Sequence, residues 1–241
     1  MLKIIYLLLI TTIIHAIPII DVEGKSINIK NFPIEYLIDK TDNLKIIDIV
    51  HSEFKATSHS NVSLGNNNPI AWIRFGLHND TNESTTLFLH NQLAYIAHKL
   101  EFYEVTGGII SNRLNIDMTN HDDIQDKLYG TDAIFEIKLA PKQTKIIYIK
   151  STIHALHIFN YTLYDKKNSK NFLADKHTFQ FIILGMFIAL TFYHLILYIA
   201  SKQKEYLYYT LYLFCATLWE FHLSGTLIQS LKFDYNALSE Y

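Results

Sequence analysis

Trp72 and Arg74 stand two residues apart in an alternating stretch, 71–77, so they share one face of a predicted strand. An indole offers a flat apolar surface to the carbon face of a sugar ring, and a guanidinium offers a donor fork to its hydroxyls. Tyr103, on the outward face of a second alternating stretch, joins them by type and alternation. These three form the candidate ligand site. The competing reading has the same side chains covering the outer face of a sandwich, with Trp72 packed beneath a loop.

Other chemistries are weaker. The chain has 12 histidines, but His154 and His157 are three apart in a predicted strand and so point to opposite faces, and no His-Glu-x-x-His run occurs. Asp122, Asp123 and Asp126 near His121 are candidate calcium ligands by type. The glycine and terminal glutamate of an EF-hand loop are missing, and a solvated acidic loop is the simpler account. The single cysteine, Cys215, forms neither an internal disulfide nor a thiolate cluster. With no nucleophile elbow, phosphate-binding glycine loop or paired zinc motif, the sequence points to no enzyme, cofactor or metal.

Two ionisable residues fall inside apolar runs, where such groups are read as functional by default. His194 lies in residues 179–200, an uncharged run of 22 that is roughly 33 Å long as a helix. Glu220 lies in residues 206–228, beyond a five-residue connection, which predicts an antiparallel membrane hairpin. Counting from Gln203, His194 and Glu220 differ by roughly 12 Å in level and do not pair, and Glu220 falls beside Gly185 and Met186. Gly185 there permits close helix approach but supplies no polar partner. Glu220 then calls for a partner from further helices, a second chain or water, or else sits near the outer interface and stays hydrated. Tyr206, Tyr208, Tyr209 and Tyr212 crowd one end of the second run, as aromatic residues do at membrane interfaces.

The elements that must position these residues follow from composition and pattern. Of 241 residues, 49% are hydrophobic and 18% charged, and the mean hydropathy is +0.10. General disorder is excluded, and a wholly soluble protein is disfavoured. Twenty-one basic against 23 acidic residues leave a net charge of -2, which argues against a nucleic-acid partner. Residues 1–16 read as a signal peptide with a basic start, an apolar stretch at 4–14 and a cut after Ala16; an uncleaved anchor is the alternative. Either way 17–176 is exported, although the lysines before 179 would vote for the reverse topology by charge alone. In 17–176 alternation dominates: Ile73, Phe75 and Leu77 oppose Trp72, Arg74 and Gly76, while Ala133, Phe135, Ile137 and Leu139 oppose Ile134, Glu136 and Lys138. Turns at 79–82, 107–108 and 140–142 separate the strands, which predicts an all-β antiparallel sandwich. Residues 112–130 are polar without a clear period and read as a long surface connection. The remaining parts are two membrane helices within 177–231 and a short tail, 232–241.

This order of parts resembles the bacterial 7TM receptors with diverse intracellular signalling modules (7TMR-DISM), in particular their second type of extracellular domain. The resemblance rests on Tyr36, Leu37, Ile38 and Asp39, on Phe54 and Gly65, and on Trp72, Ile73, Arg74, Phe75, Leu77 and Asn79. Leu100, Phe102 and Tyr103 continue it, as do residues 193–198 and Leu223, Ser224 and Gly225 in the membrane runs. It implies a jelly-roll-like periplasmic sandwich similar to carbohydrate-binding modules, a seven-helix membrane region in a bacterial inner membrane and a cytoplasmic output domain. The stretch 112–131 departs from the family's Gly-Asp and Pro-Phe signature, and the sequence stops after two apolar runs without an output domain. The expected function is a non-enzymatic sensor that binds a small ligand, with carbohydrate as the candidate class, and passes the change through the bilayer. Self-association or partner helices complete the membrane part. A membrane-anchored binding or structural module without signalling, or a truncated receptor without function, are the alternatives.

Overall fold

Strands rich in Ile, Phe and Tyr, each apolar on one face, bury that face by pairing into two sheets packed against each other. The computed structural model describes residues 17–24, 26–41, 43–66, 70–153 and 156–224. The leader predicted at 1–16, His154, Gly225, the end of the second apolar run and the tail 232–241 lie outside the described residues. The strands are β1 (Ile19–Val22), β2 (Asn28–Ile29), β3 (Ile34–Ile38), β4 (Lys55–Thr57), β5 (Asn61–Gly65), β6 (Ile70–Asn79) and β7 (Thr85–Asn91). After these come β8 (Lys99–Thr106), β9 (Ile109–Asp117), β10 (Leu128–Tyr129), β11 (Asp132–Leu139), β12 (Thr144–Thr152) and β13 (His157–Tyr164). Short helices α1 (Ile46–Ile49) and α2 (His121–Lys127) interrupt them, and α3 (Lys166–Ser201) and α4 (Lys204–Leu223) follow.

One sheet has the antiparallel order β4-β3-β6-β12-β8-β9, and β1 joins the far half of β6 in parallel. The other runs β10-β11-β7-β13-β2, with β5 also on β13. The result is a mostly antiparallel, jelly-roll-like sandwich. Ile73, Phe75 and Leu77 of β6 enter the core with Leu100, Phe102, Ile147 and Ile149, against Leu87, Leu89, Phe135, Ile137 and Leu163 of the opposite sheet. Phe102 and Phe135 stack across the sheets with ring centroids 4.5 Å apart. Gly76 sits where β1 crosses: a Cβ there would come within 3.1 Å of Ile19 Cγ1. The outer face of the first sheet carries a smaller cluster of Ile49, Phe54, Trp72, Tyr103, Val105 and Tyr148.

Residues 112–130 are not the surface connection that their polarity suggested. β9 pairs with β8 along its length after the turn at Gly107 and Gly108, both at positive φ. An edge strand needs apolar residues on one face only, and Ile116 supplies a fully buried one. α2 follows, with Asn120 Oδ1 accepting the Asp122 N–H as its cap and Ile124 and Leu128 buried one turn apart.

α3 begins well before the apolar run, at Lys166, and continues unbroken for 36 residues. By length and composition it can cross a membrane. The connection to α4 is Lys202 and Gln203, shorter than the five residues expected, because Lys204 and Glu205 already form the first turn of α4. Lys202 ends α3 in the left-handed conformation at φ +57, with its N–H on the Tyr198 carbonyl.

Candidate functional site

The predicted ligand residues come together on the outer face of the first sheet. Register places Glu35, Arg74, Tyr148 and Tyr103 in one row across β3, β6, β12 and β8. Trp72 lies one row along, opposite Lys150, whose Nζ is 5.7 Å from its ring. The Trp72 and Tyr103 rings are 5.9 Å apart and inclined by 27°. Arg74 Nε donates to Glu35 Oε2 at 2.5 Å, and its guanidinium lies 4.0 Å from the Phe54 ring centre. Tyr103 Oη donates to Glu101, whose carboxyl is held below its usual range: burial raises it, but that bond and Lys99 outweigh the burial. Burial pushes the Tyr148 phenol up, and the Arg74 charge opposes it.

This constellation is not an open surface. Trp72 is 1% exposed, Tyr103 5%, Arg74 7% and Glu35 0%. Residues 44–54, including α1, lie over it and contribute Leu44, Ile46, Ile49, Val50 and Phe54. Glu35 Oε1 and Trp72 Nε1 are buried without a hydrogen-bond partner among the described residues. Glu35 and Tyr148 escaped the sequence reading, and Phe54 entered it only through the family resemblance, since pairing register between distant strands has no local signal.

A second site joins the sandwich to the membrane helix. Asp165 caps α3 by accepting from the N–H groups of Lys167 and Asn168, and it ties the helix to the sandwich by accepting from Ile27 N–H at 2.7 Å. Burial raises its carboxyl, but those backbone donors and the Asn168 side chain hold it below the usual range. One turn on, Ser169 Oγ is 2.8 Å from Nε2 of His90, which is fully buried on β7. The imidazole packs edge-on against Tyr164 and Phe172. Burial pushes it down to about 4; the Asp132 carboxylate opposes this and the Lys176 charge adds to it. A hydroxyl on an imidazole resembles a nucleophile and its base, but with both groups enclosed the bond is structural. Two turns further, Lys176 Nζ donates to Asp132 Oδ1 at 2.6 Å and to Thr131 Oγ1 at 2.9 Å. Gly130 then lies close to α3 and to the end of α4: a Cβ there would lie 3.4 Å from His177 Cε1 and 3.6 Å from the Ser224 carbonyl oxygen. A polar groove of about 630 Å³ opens beside the start of α3, between the turn at 81–86 and Asp165, Lys166 and Lys167.

In the hairpin His194 lies near the connecting turn, its ring against Tyr206 and Tyr209 at 6.2 and 5.5 Å. Glu220 is at the other end, lining a small cavity with His177, Gln180, Phe181, Leu184 and Ser224. The facing partner is therefore not Gly185. That residue is one position, 100° of helix rotation, from Leu184, and a Cβ there meets nothing within 4 Å. Axial counting gave a level close to the truth but could not give the face. Asp122, Asp123 and Asp126 all lie on α2. Asp123 accepts from the Asp117 N–H and from Lys127, and no cluster able to hold a metal occurs among the described residues.

Matches to solved structures are at low identity and low TM-score. A family 35 carbohydrate-binding module from Clostridium thermocellum matches at 9% identity and TM-score 0.28, covering 58% of this chain and 98% of that one. A CBM35 from Paenibacillus barcinonensis matches at 8% identity and TM-score 0.27, covering 58% and 96%. A β-glucosidase from Kluyveromyces marxianus matches at 12% identity and TM-score 0.32, covering 58% of this chain but only 16% of the enzyme. No curated protein matches. The family model described as 7TMR-DISM extracellular 2 matches residues 33–165, and the one described as 7TM diverse intracellular signalling matches 176–241. The match boundaries fall where the sandwich ends and where α3 leaves it, and together they cover most of the sequence: this is a membrane protein with a sensory, extracellular N-terminal domain, and the chain belongs to the 7TMR-DISM receptor family.

Proposed function

We propose that the sandwich faces the periplasm of a bacterial inner membrane, binds a small polyhydroxy ligand of the carbohydrate class, and passes its occupancy into the bilayer through α3. One observation carries the coupling. A single helix runs from the outer face of the sandwich into the apolar run, fastened at Asp165, Ser169 and Lys176 along about three turns, with no flexible linker between sandwich and apolar run. A shift of β7 or β11 relative to β13 therefore moves the helix as a lever, and Gly130 lies close to the end of α4 beside it. The ligand class follows from the aromatic and guanidinium groups of Trp72, Arg74 and Tyr103. Their row also holds a carboxylate, so it contains donors, acceptors and a stacking surface for ring hydroxyls and carbons.

Cys215, the single cysteine and an exposed one on α4, provides the test. The full chain is labelled there with an environment-sensitive fluorophore, placed in nanodiscs and titrated with glucose, galactose, xylose and glucuronate, while calorimetry follows binding. Emission that saturates with binding supports coupling. Heat of binding with no change in emission refutes it.

A further inference from the structure

We infer that the row of Glu35, Arg74 and Tyr103 with Trp72 is a covered pyranose-binding platform, and that residues 44–54 are its lid. This rests on the sensor reading above and names the site that reading needs.

The two faces of the first sheet differ in a way that packing does not require. The inner face is closed by a continuous apolar cluster that includes Ile34, Ala71, Ile73, Phe75, Leu77 and Phe102, and the Lys145–Glu104 ion pair stands at its end. The outer face is equally buried, yet it carries an indole N–H, a carboxylate and a guanidinium. The cover offers Arg74 the Phe54 ring and the Ser52 carbonyl, but it leaves Glu35 Oε1 and Trp72 Nε1 with no hydrogen-bond partner among the described residues. Burying such atoms unpaired is unfavourable, so the closed state carries a penalty that a hydroxylated ligand would remove. A sugar hydroxyl is both donor and acceptor and so suits an orphan acceptor beside an orphan donor. The carbon face of the ring would take the place of Ile49 and Phe54 against the aromatic rings.

The cover is also built to lift. It lies between β3 and β4, contains one helix of four residues and joins no strand ladder. Its first hinge is ordered by Asp39, which accepts from the N–H groups of Thr41 and Leu44, and its second is the start of the edge strand β4. Apart from side-chain packing, one long contact ties it to the platform, from an Arg74 guanidinium N–H to the Ser52 carbonyl at 3.5 Å. Lifting it breaks no sheet hydrogen bond.

The test uses the full chain in nanodiscs with Trp219→Phe, which leaves Trp72 as the sole tryptophan. Glucose, galactose, xylose and glucuronate are the probes. At least one should change Trp72 emission and shield it from acrylamide. Ile49→Ala, which loosens the lid, should bind that sugar about tenfold more tightly, because less of the closed state must be displaced. In the unaltered chain, amides of residues 44–54 should exchange faster than those of β6, and faster still with sugar. Exchange as slow as in β6, or no sugar binding by Ile49→Ala, overturns the proposal. Sugar binding that leaves Trp72 silent while the Cys215 label responds overturns the lid and spares the receptor reading.

Discussion

His90 makes the junction between sandwich and α3 sensitive to acid in a direction that can be worked out. The ring is enclosed by β7, β13 and α3, its Nε2 is used by Ser169, and Asp132 and Lys176 are the charged groups facing it. Its pKa is about 4 when docked, against 6.5 for an ordinary histidine. A histidine lowered by folding resists the proton in the docked state, whereas the undocked or unfolded chain takes it up at the ordinary value. Docking is therefore indifferent to this group above about pH 7.5, weakens as pH falls through 6.5, and stops weakening below about 4. At pH 5 the difference is worth up to about 2 kcal/mol, and water reaching part of the ring would reduce this toward ~1 kcal/mol. His90→Gln keeps a partner for Ser169 and removes the titration. Amide exchange of α3 residues 169–176, measured between pH 7.5 and 5 and corrected for intrinsic rates, should show the wild-type helix loosening roughly tenfold more than the variant. Equal pH dependence in the two proteins would refute the argument, since all other titrating groups are shared.

Phe75→Ala removes a fully buried core ring and should lower stability by about 3–5 kcal/mol in denaturant titration. Arg74→Ala should do comparable damage, about 3–5 kcal/mol, because it strands the Glu35 carboxylate; removing both charges, as in Glu35→Met with Arg74→Met, should recover most of that loss. Lys176→Met leaves Asp132 buried without its cation and should speed amide exchange at 169–176 while the Phe75 core keeps its protection. Glu220→Gln should change membrane accumulation by less than about twofold, because His177 and Gln180 line the same small cavity and give the carboxylate polar neighbours. A large rise in accumulation would place the carboxylate deep in the membrane.

Alternation and apolar run length made much of the architecture readable. Trp72 and Arg74 on one face with Ile73 and Phe75 on the other follows from a period of two, which a strand imposes whatever it pairs with. Residues 112–130 defeated the same reading because an edge strand needs an apolar side chain only at every second position, and polar residues fill the rest. The start of α3 was hidden because Lys166, Lys167 and Lys170 look like loop; they are helical because Asp165 caps the helix and Ser169 and Phe172 pack on the sandwich.

From its order of residues alone, this protein had a β-sandwich, a membrane helix able to span a bilayer and the candidate trio Trp72, Arg74 and Tyr103, since each depends on local period, length or residue type. Tertiary structure decided what those residues meet. Glu35 reaches Arg74 across 39 positions, and His90 reaches Ser169 across 79. Such meetings depend on strand register and on the path of a helix across a sheet, which minimise the energy of the whole packed chain and leave no mark on the neighbours of either residue.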